Sequence, residues 1–175
     1  MKLYEVPSHI FVSKVENHKK IKQDILDAIE SMGQYSVENK SQKITNTDWH
    51  LDSSINRPYY DIIKPSLQPH LEEFSERMGF DKISVSNYWF HRYNNEDYHL
   101  SHVHPKAMFS NVYYIQLDNL SPRTTFTYLG KSFDIEIEEG SIITFPTYFS
   151  HESKPNKSNL PKIVIAFNTD TDISH

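Results

Sequence analysis
The chain reads as a mainly β fold with flanking helices, an antiparallel double sheet of jelly-roll type, and three observations predict it. Hydrophobic periodicity changes from helical to period two after Gly79 and stays there. The second half breaks into short β-branched and aromatic runs separated by turn residues such as Leu129-Gly130 and Glu139-Gly140. Composition agrees: 11 Tyr, 10 Phe and 2 Trp against 4 Gly suit a sheet better than a bundle. At 175 residues one domain is expected, with helices over residues 1–79 packed on a jelly-roll core over residues 80–170.

Taken in order, residues 3–15 predict a strand broken at Pro7 that joins a sheet edge. Asn17 offers a helix cap, and Ile21, Ile25, Ala28, Ile29 and Met32 recur at helical spacing until Gly33. Residues 34–56 lack periodicity and read as loop, with a short strand around Ile44 and with Trp49 and Leu51 as anchors. A second helix follows from Ile63, Leu67, Leu71, Phe74 and Met78, stopped by Gly79. Because proline fits only the first helical turn, Pro65 and Pro69 place its regular part from about Ser66, with residues 59–64 as a separate turn. His70 is expected to be structural or exposed.

Strands are then expected over residues 107–117, 124–128, 131–137, 141–145 and 162–168. Before them, Ile83, Val85, Asn87 and Trp89 alternate with Ser84, Ser86, Tyr88 and Phe90. In the last strand Ile163, Ile165 and Phe167 form a bulky face that suits packing on the helices. Lys162, Val164, Ala166 and Asn168 form the other, with small residues and one cation, as a strand lining an anion cavity should. The acidic run over residues 135–139 reads as a solvated edge.

Charge and composition narrow the function. Lys plus Arg number 18 and Asp plus Glu 23, a net charge of −5 with scattered basic residues, which argues against nucleic acid as a partner. Cysteine is absent, which leaves His, Asp and Glu as metal ligands. Glu5, Pro7 and His9 interrupt the apolar run that a signal peptide needs, and no stretch reaches membrane-spanning length; a soluble cytoplasmic protein is expected.

The residues that invite chemistry are His102 and His104. Two positions apart in a strand, they converge on one point while Val103 turns away, and His151 in FPTYFSHESKP is the next histidine with a local signature. Three protein ligands leave positions open on a metal that takes five or six, the mark of a catalytic rather than a structural site. With ten histidines in the chain, two surface imidazoles would give the same spacing, so the pattern alone leaves both readings open.

Three runs in order, WFHRYNNEDYHLSHVHPKAMFSNVYYIQL, EEGSIITFPTYFSHESKPN and PKIVIAFN, resemble the 2-oxoglutarate and Fe(II) dependent oxygenases of phage and bacteria, relatives of the prolyl hydroxylases. The likeness spans roughly residues 80–170. It implies a double-stranded β-helix of cupin-like type, with Fe(II) held by His102, His104 and His151. It further implies 2-oxoglutarate as co-substrate, its distal carboxylate on Lys162 with Tyr93 and Tyr114 as hydroxyl partners. The implied reaction hydroxylates a peptide, a protein side chain or a small metabolite, with release of succinate and CO2. Two positions depart from the commoner pattern: His104 stands where most of the superfamily has Asp or Glu, and Lys162 where it usually has Arg. Asp97, Glu96 and Glu152 are the other carboxylates near the motif, and His99 is expected beside the ligands or at the surface. The departures keep two rivals in view, a cupin-like three-histidine metalloenzyme that does not use 2-oxoglutarate and a non-catalytic metal-binding scaffold. Residues 34–58 and 119–123 are the loops expected at the entrance.

Overall fold
Among the described residues, two six-stranded antiparallel sheets face each other, with two helices outside one of them. The computed structural model describes Lys2, residues 8–104 and residues 106–172, so the expected strand before Ser8 and Pro105 of the H-x-H-P run lie outside the described residues. The elements are β1 (Phe11–Lys14), α1 (His18–Ser31), β2 (Val37–Glu38), β3 (Gln42–Ile44), β4 (Asn46–Thr47) and α2 (Pro58–Met78). They continue as β5 (Lys82–Tyr93), β6 (Tyr98–His102), β7 (Phe109–Gln116), β8 (Thr124–Tyr128), β9 (Lys131–Asp134), β10 (Ser141–Pro146), β11 (Ser150–Ser153) and β12 (Lys162–Asp172). One sheet runs β1-β10-β7-β12-β5-β4 and the other β2-β3-β6-β11-β8-β9. This is the jelly roll that the alternating patterns predict.

The helices cover the first sheet because its outer face is apolar. Ile25 and Ile29 of α1 and Tyr59, Ile63, Leu67 and Leu71 of α2 pack with Tyr113, Ile115, Ile142, Ile163, Ile165 and Phe167 in one buried cluster. A second cluster, with Tyr114, Phe126, Ile143, Phe145 and Val164, fills part of the space between the sheets. Strand β12 therefore divides its side chains as its sequence predicts, Ile163, Ile165 and Phe167 outward to the helices and the alternate residues inward. Gly140 is required where β10 begins: its φ is +86°, and a Cβ there would stand 3.0 Å from Cγ of His18.

Four expectations are corrected. Helix α2 is continuous from Pro58, with Pro65 and Pro69 inside it; both prolines are four apart on the solvent face, where the carbonyls they leave unpaired can be hydrated. Residues 34–56 hold three short strands rather than one, and they extend both sheets. The alternation in β5 is broken: Asn168 pairs with Asn87 but Thr169 with Val85, so Ser86 is an extra residue that exchanges the faces. Ile83 and Val85 before this bulge and Tyr88 after it all pack in the helix-facing cluster, which leaves Asn87, Trp89, His91 and Tyr93 inward. In the acidic run Glu139 is not merely solvated, since it accepts hydrogen bonds from Lys22 Nζ (2.7 Å) and the Leu117 amide (3.0 Å).

His70 is structural. Ser13 Oγ lies 2.5 Å from its Nδ1 and Thr144 Oγ1 2.7 Å from its Nε2, which ties α2 to β1 and β10. Burial pushes its pKa down to about 4, so the ring is neutral and can accept on one nitrogen and donate on the other. No helix among the described residues is long and apolar enough to cross a membrane.

Candidate metal centre and co-substrate cavity
Strand pairing brings the first two histidines together. His151 of β11 lies opposite His102 of β6, and their ring centroids are 4.3 Å apart. His104 follows the end of β6 rather than continuing it, and its backbone amide is held by the Thr147 carbonyl at 3.3 Å. Its ring comes within 5.2 Å of His102 and 5.0 Å of His151, centroid to centroid. One ligand atom from each of the three lies within 4.8 Å of the others, a spacing that one metal ion can bridge.

The tautomers suit a metal. Nδ1 of His102 lies 2.8 Å from the Leu100 carbonyl, Nδ1 of His151 3.1 Å from the Phe149 carbonyl, and Nδ1 of His104 3.1 Å from Oδ1 of Asn168. Carbonyl oxygens only accept, so each Nδ1 carries the proton and each Nε2 presents a lone pair. Asn168 Oδ1 is itself fixed by Ser110 Oγ at 2.9 Å. Burial lowers the pKa of His102 and His104 and holds His151 well below the usual range, so all three rings are neutral. Three neutral imidazoles with pinned Nδ1–H groups fit Fe(II) as well as other borderline divalent ions.

Two of the three carboxylates near the motif are engaged elsewhere. Asp97 is buried and accepts from the Thr45 amide, Thr45 Oγ1 and the Asn94 amide, which fastens β3 and β4 to the β5–β6 turn. Glu96 pairs with Lys157 at 2.8 Å. Glu152 lines the cavity but is not part of the histidine cluster. His99 lies beside the histidine cluster: its ring stacks on His102 at 3.9 Å. A spacing of three would put the two on opposite faces of a regular strand. Here His102 and His99 oppose His151 and Ser153, so β6 carries one extra residue and both rings face inward.

The cluster opens into a cavity of about 480 Å³ between the sheets, lined by His91, Tyr93, His99, Ser153, Lys162 and Val164 among others. Lys162, at the start of β12, is 1% exposed. Its Nζ donates to the Pro122 carbonyl (2.8 Å) and to Ser153 Oγ (2.9 Å), and no carboxylate lies within salt-bridge range of it among the described residues. Burial, aided by the nearby Arg123 guanidinium, lowers its pKa to about 7. An ammonium in that state is stabilised by any anion that reaches it.

The two tyrosines differ. Tyr93 lines the cavity, with Lys162 Nζ 5.3 Å from its ring centroid. Tyr114 lies one layer back: its ring is 5.8 Å from the same ammonium, but its hydroxyl meets Thr124 Oγ1 at 2.5 Å, and Thr124 lines the cavity. Of the entrance loops, residues 34–58 supply Gln42 and the 58% exposed Trp49 to the cavity. Residues 119–123 instead close its deep end, through the Pro122 carbonyl on Lys162.

Asn168 lines the cavity as the fourth residue of the face expected for β12. His91 and Trp89 also line it, and the sequence pattern did not single them out, because the bulge at Ser86 decides which way they face.

Compared by sequence, the chain matches no family model and no curated protein. Compared by structure, it is similar to a viral collagen prolyl hydroxylase from Paramecium bursaria Chlorella virus-1, solved with 2-oxoglutarate, at a TM-score of 0.67 and 16% identity over 94% of this chain and 96% of that one. A 2OG-Fe(II) oxygenase family oxidoreductase from Burkholderia pseudomallei gives a TM-score of 0.69 at 11% identity, over 92% and 84% of the two chains. A Trichoplax adhaerens prolyl hydroxylase in complex with a hypoxia inducible factor peptide fragment gives 0.68 at 12% identity, over 92% and 83%. The chain therefore has the double-stranded β-helix fold of these oxygenases.

Proposed function
We propose that the chain is an Fe(II)- and 2-oxoglutarate-dependent dioxygenase that hydroxylates its substrate and releases succinate and CO2. The observation that carries this is the joint lining of one cavity: a metal-ready histidine cluster at one end and, at the other, a buried ammonium without a carboxylate partner among the described residues. A dicarboxylic oxo-acid matches both ends. The fold shared with 2-oxoglutarate oxygenases supports the same reading.

His102, His104 and His151 hold the metal through Nε2, kept in that tautomer by the Leu100, Asn168 and Phe149 oxygens. Lys162 receives the distal carboxylate, and Ser153 Oγ holds the ammonium in place. Tyr93 walls the co-substrate on the β5 side, while Tyr114 supports Thr124. When bound, Fe(II) supplies the redox chemistry that couples oxidative decarboxylation of 2-oxoglutarate by O2 to insertion of one oxygen atom into a substrate C–H bond. The substrate enters past Trp49 and Gln42 and is a peptide or protein residue or a small metabolite; the peptide bound by the Trichoplax enzyme favours the first.

His104 in place of a carboxylate favours a second reading, a three-histidine metalloenzyme that does not use 2-oxoglutarate. Succinate release decides between them. Protein loaded anaerobically with Fe(II), then given 2-oxoglutarate and O2, should form succinate slowly even without substrate and faster with the correct one. No succinate above a His151→Ala control would favour the second reading.

A further inference from the structure
We infer that His91 is an additional co-substrate-binding residue, donating its Nδ1–H to an oxygen of the bound oxo-acid between the metal end and the Lys162 end. The inference rests on the proposed use of 2-oxoglutarate. It begins with the tautomer. Trp89 Nε1 lies 2.9 Å from His91 Nε2, and an indole N–H can only donate, so Nε2 accepts and the proton of this neutral ring sits on Nδ1. That Nδ1 is buried and has no hydrogen-bond partner among the described residues, on a residue that is 7% exposed and lines the cavity.

A buried donor without an acceptor is costly, and nearly all such groups in folded proteins find a partner. The surroundings explain who the partner is. The His91 ring lies 5.7 Å from that of Tyr93, over which Lys162 Nζ stands at 5.3 Å. On its other side it lies 5.9 Å from the ring of His99, which stacks at 3.9 Å on His102. One wall of the cavity thus runs Lys162, Tyr93, His91, His99, His102. An acid anchored on the ammonium and reaching the metal passes along it, and the carboxylate and keto oxygens of an oxo-acid are the acceptors that this donor lacks. Burial keeps the ring neutral, so it supplies a hydrogen bond without a second positive charge.

Calorimetry of 2-oxoglutarate binding under anaerobic conditions, on protein loaded with Mn(II), tests this. His91→Phe keeps a flat ring without the donor and should weaken 2-oxoglutarate binding at least tenfold while leaving Mn(II) affinity unchanged. His91→Asn, whose amide can place an N–H near the position of Nδ1, should stay within about threefold of wild type, since hydrogen-bond loss rather than shape is at issue. Equal affinity in wild type and His91→Phe would overturn the role of His91 alone. No binding by wild type would overturn the 2-oxoglutarate reading, and this inference with it. A measurement independent of the variants is 15N NMR of the histidine rings in Zn(II)-loaded wild type, where 2-oxoglutarate should shift the His91 Nδ1–H resonance downfield; an unmoved resonance with ligand bound would also overturn the role.

Discussion

His151 stands directly opposite His102 across the β11–β6 pair, so strand register brings together two of the three proposed metal ligands, while His104 is held just past the end of β6 by the Thr147 carbonyl. A slip of one residue would turn one of the two rings out of the cavity. His102→Ala and His151→Ala should each abolish stoichiometric binding of Fe(II), measured anaerobically by calorimetry or by metal content after gel filtration. Full metal content in either variant would show that the cluster is not the metal site.

Asn168 acts on the same site at one remove, through His104 Nδ1. Asn168→Leu removes the acceptor that fixes this tautomer, and metal affinity should fall about 10- to 100-fold, the usual cost of losing a partner behind a ligating histidine. Competition against a chromophoric chelator measures it.

Lys162 carries both binding and stability predictions. Truncation to methionine leaves the distal carboxylate without its cation, and 2-oxoglutarate affinity should drop at least ~30-fold, the equivalent of about 2 kcal/mol, while metal still binds.

The pH dependence of the same residue has a definite sign. Its folded pKa of about 7 lies below the ordinary lysine value of 10.5, so the unfolded chain binds more protons between those limits and stability contributed by this group rises with pH across that window. The penalty is fully present below pH 7, with a ceiling of about 5 kcal/mol at ~1.36 kcal/mol per pH unit. Lys162→Met should therefore be more stable than wild type at pH 6 in urea denaturation, and the difference should shrink towards pH 10. Binding of 2-oxoglutarate at pH 8 should take up a proton, seen as a dependence of the calorimetric heat on buffer ionisation enthalpy.

The entrance loop is held by a buried ion pair. Asp48 accepts from Arg57 Nε (2.7 Å), the Tyr59 hydroxyl (2.6 Å) and the Phe90 amide (2.8 Å), which pins the loop bearing Trp49 to α2 and β5. Asp48→Ala strands the Arg57 charge and two further donors, and should cost about 3–5 kcal/mol in denaturant unfolding.

Much of this arrangement was legible in the residues, and the misses share a cause. The two faces of β12 followed from alternation because the extra residues at its register shifts lie in its partners, β7 and β5, and Lys162 stood out as the cation among small inward residues. His102 and His104 were visible as a spaced pair. His91 was not, since strict alternation from Ile83 would have set it on the face that Ile83 occupies, which is the helix face. Only the partner strand, two residues of which oppose three around Ser86, reverses that. His99 lies beside His102, one of the two places expected for it, and the extra residue in β6 is what turns its ring inward. Bulges are fixed by pairing between distant segments, and a local pattern carries no trace of them. The continuous α2 shows the reverse: proline rules hold for an average helix, and two prolines on one hydrated face evade them.

The most direct test of the central claim is an anaerobic optical titration of the Fe(II)-loaded protein with 2-oxoglutarate. Chelation of the oxo-acid to a histidine-held Fe(II) should give a visible charge-transfer band that saturates at one equivalent, needs far more ligand in Lys162→Met, and is lost in His151→Ala. A wild-type protein that binds Fe(II) but shows no band at any 2-oxoglutarate concentration would contradict the account.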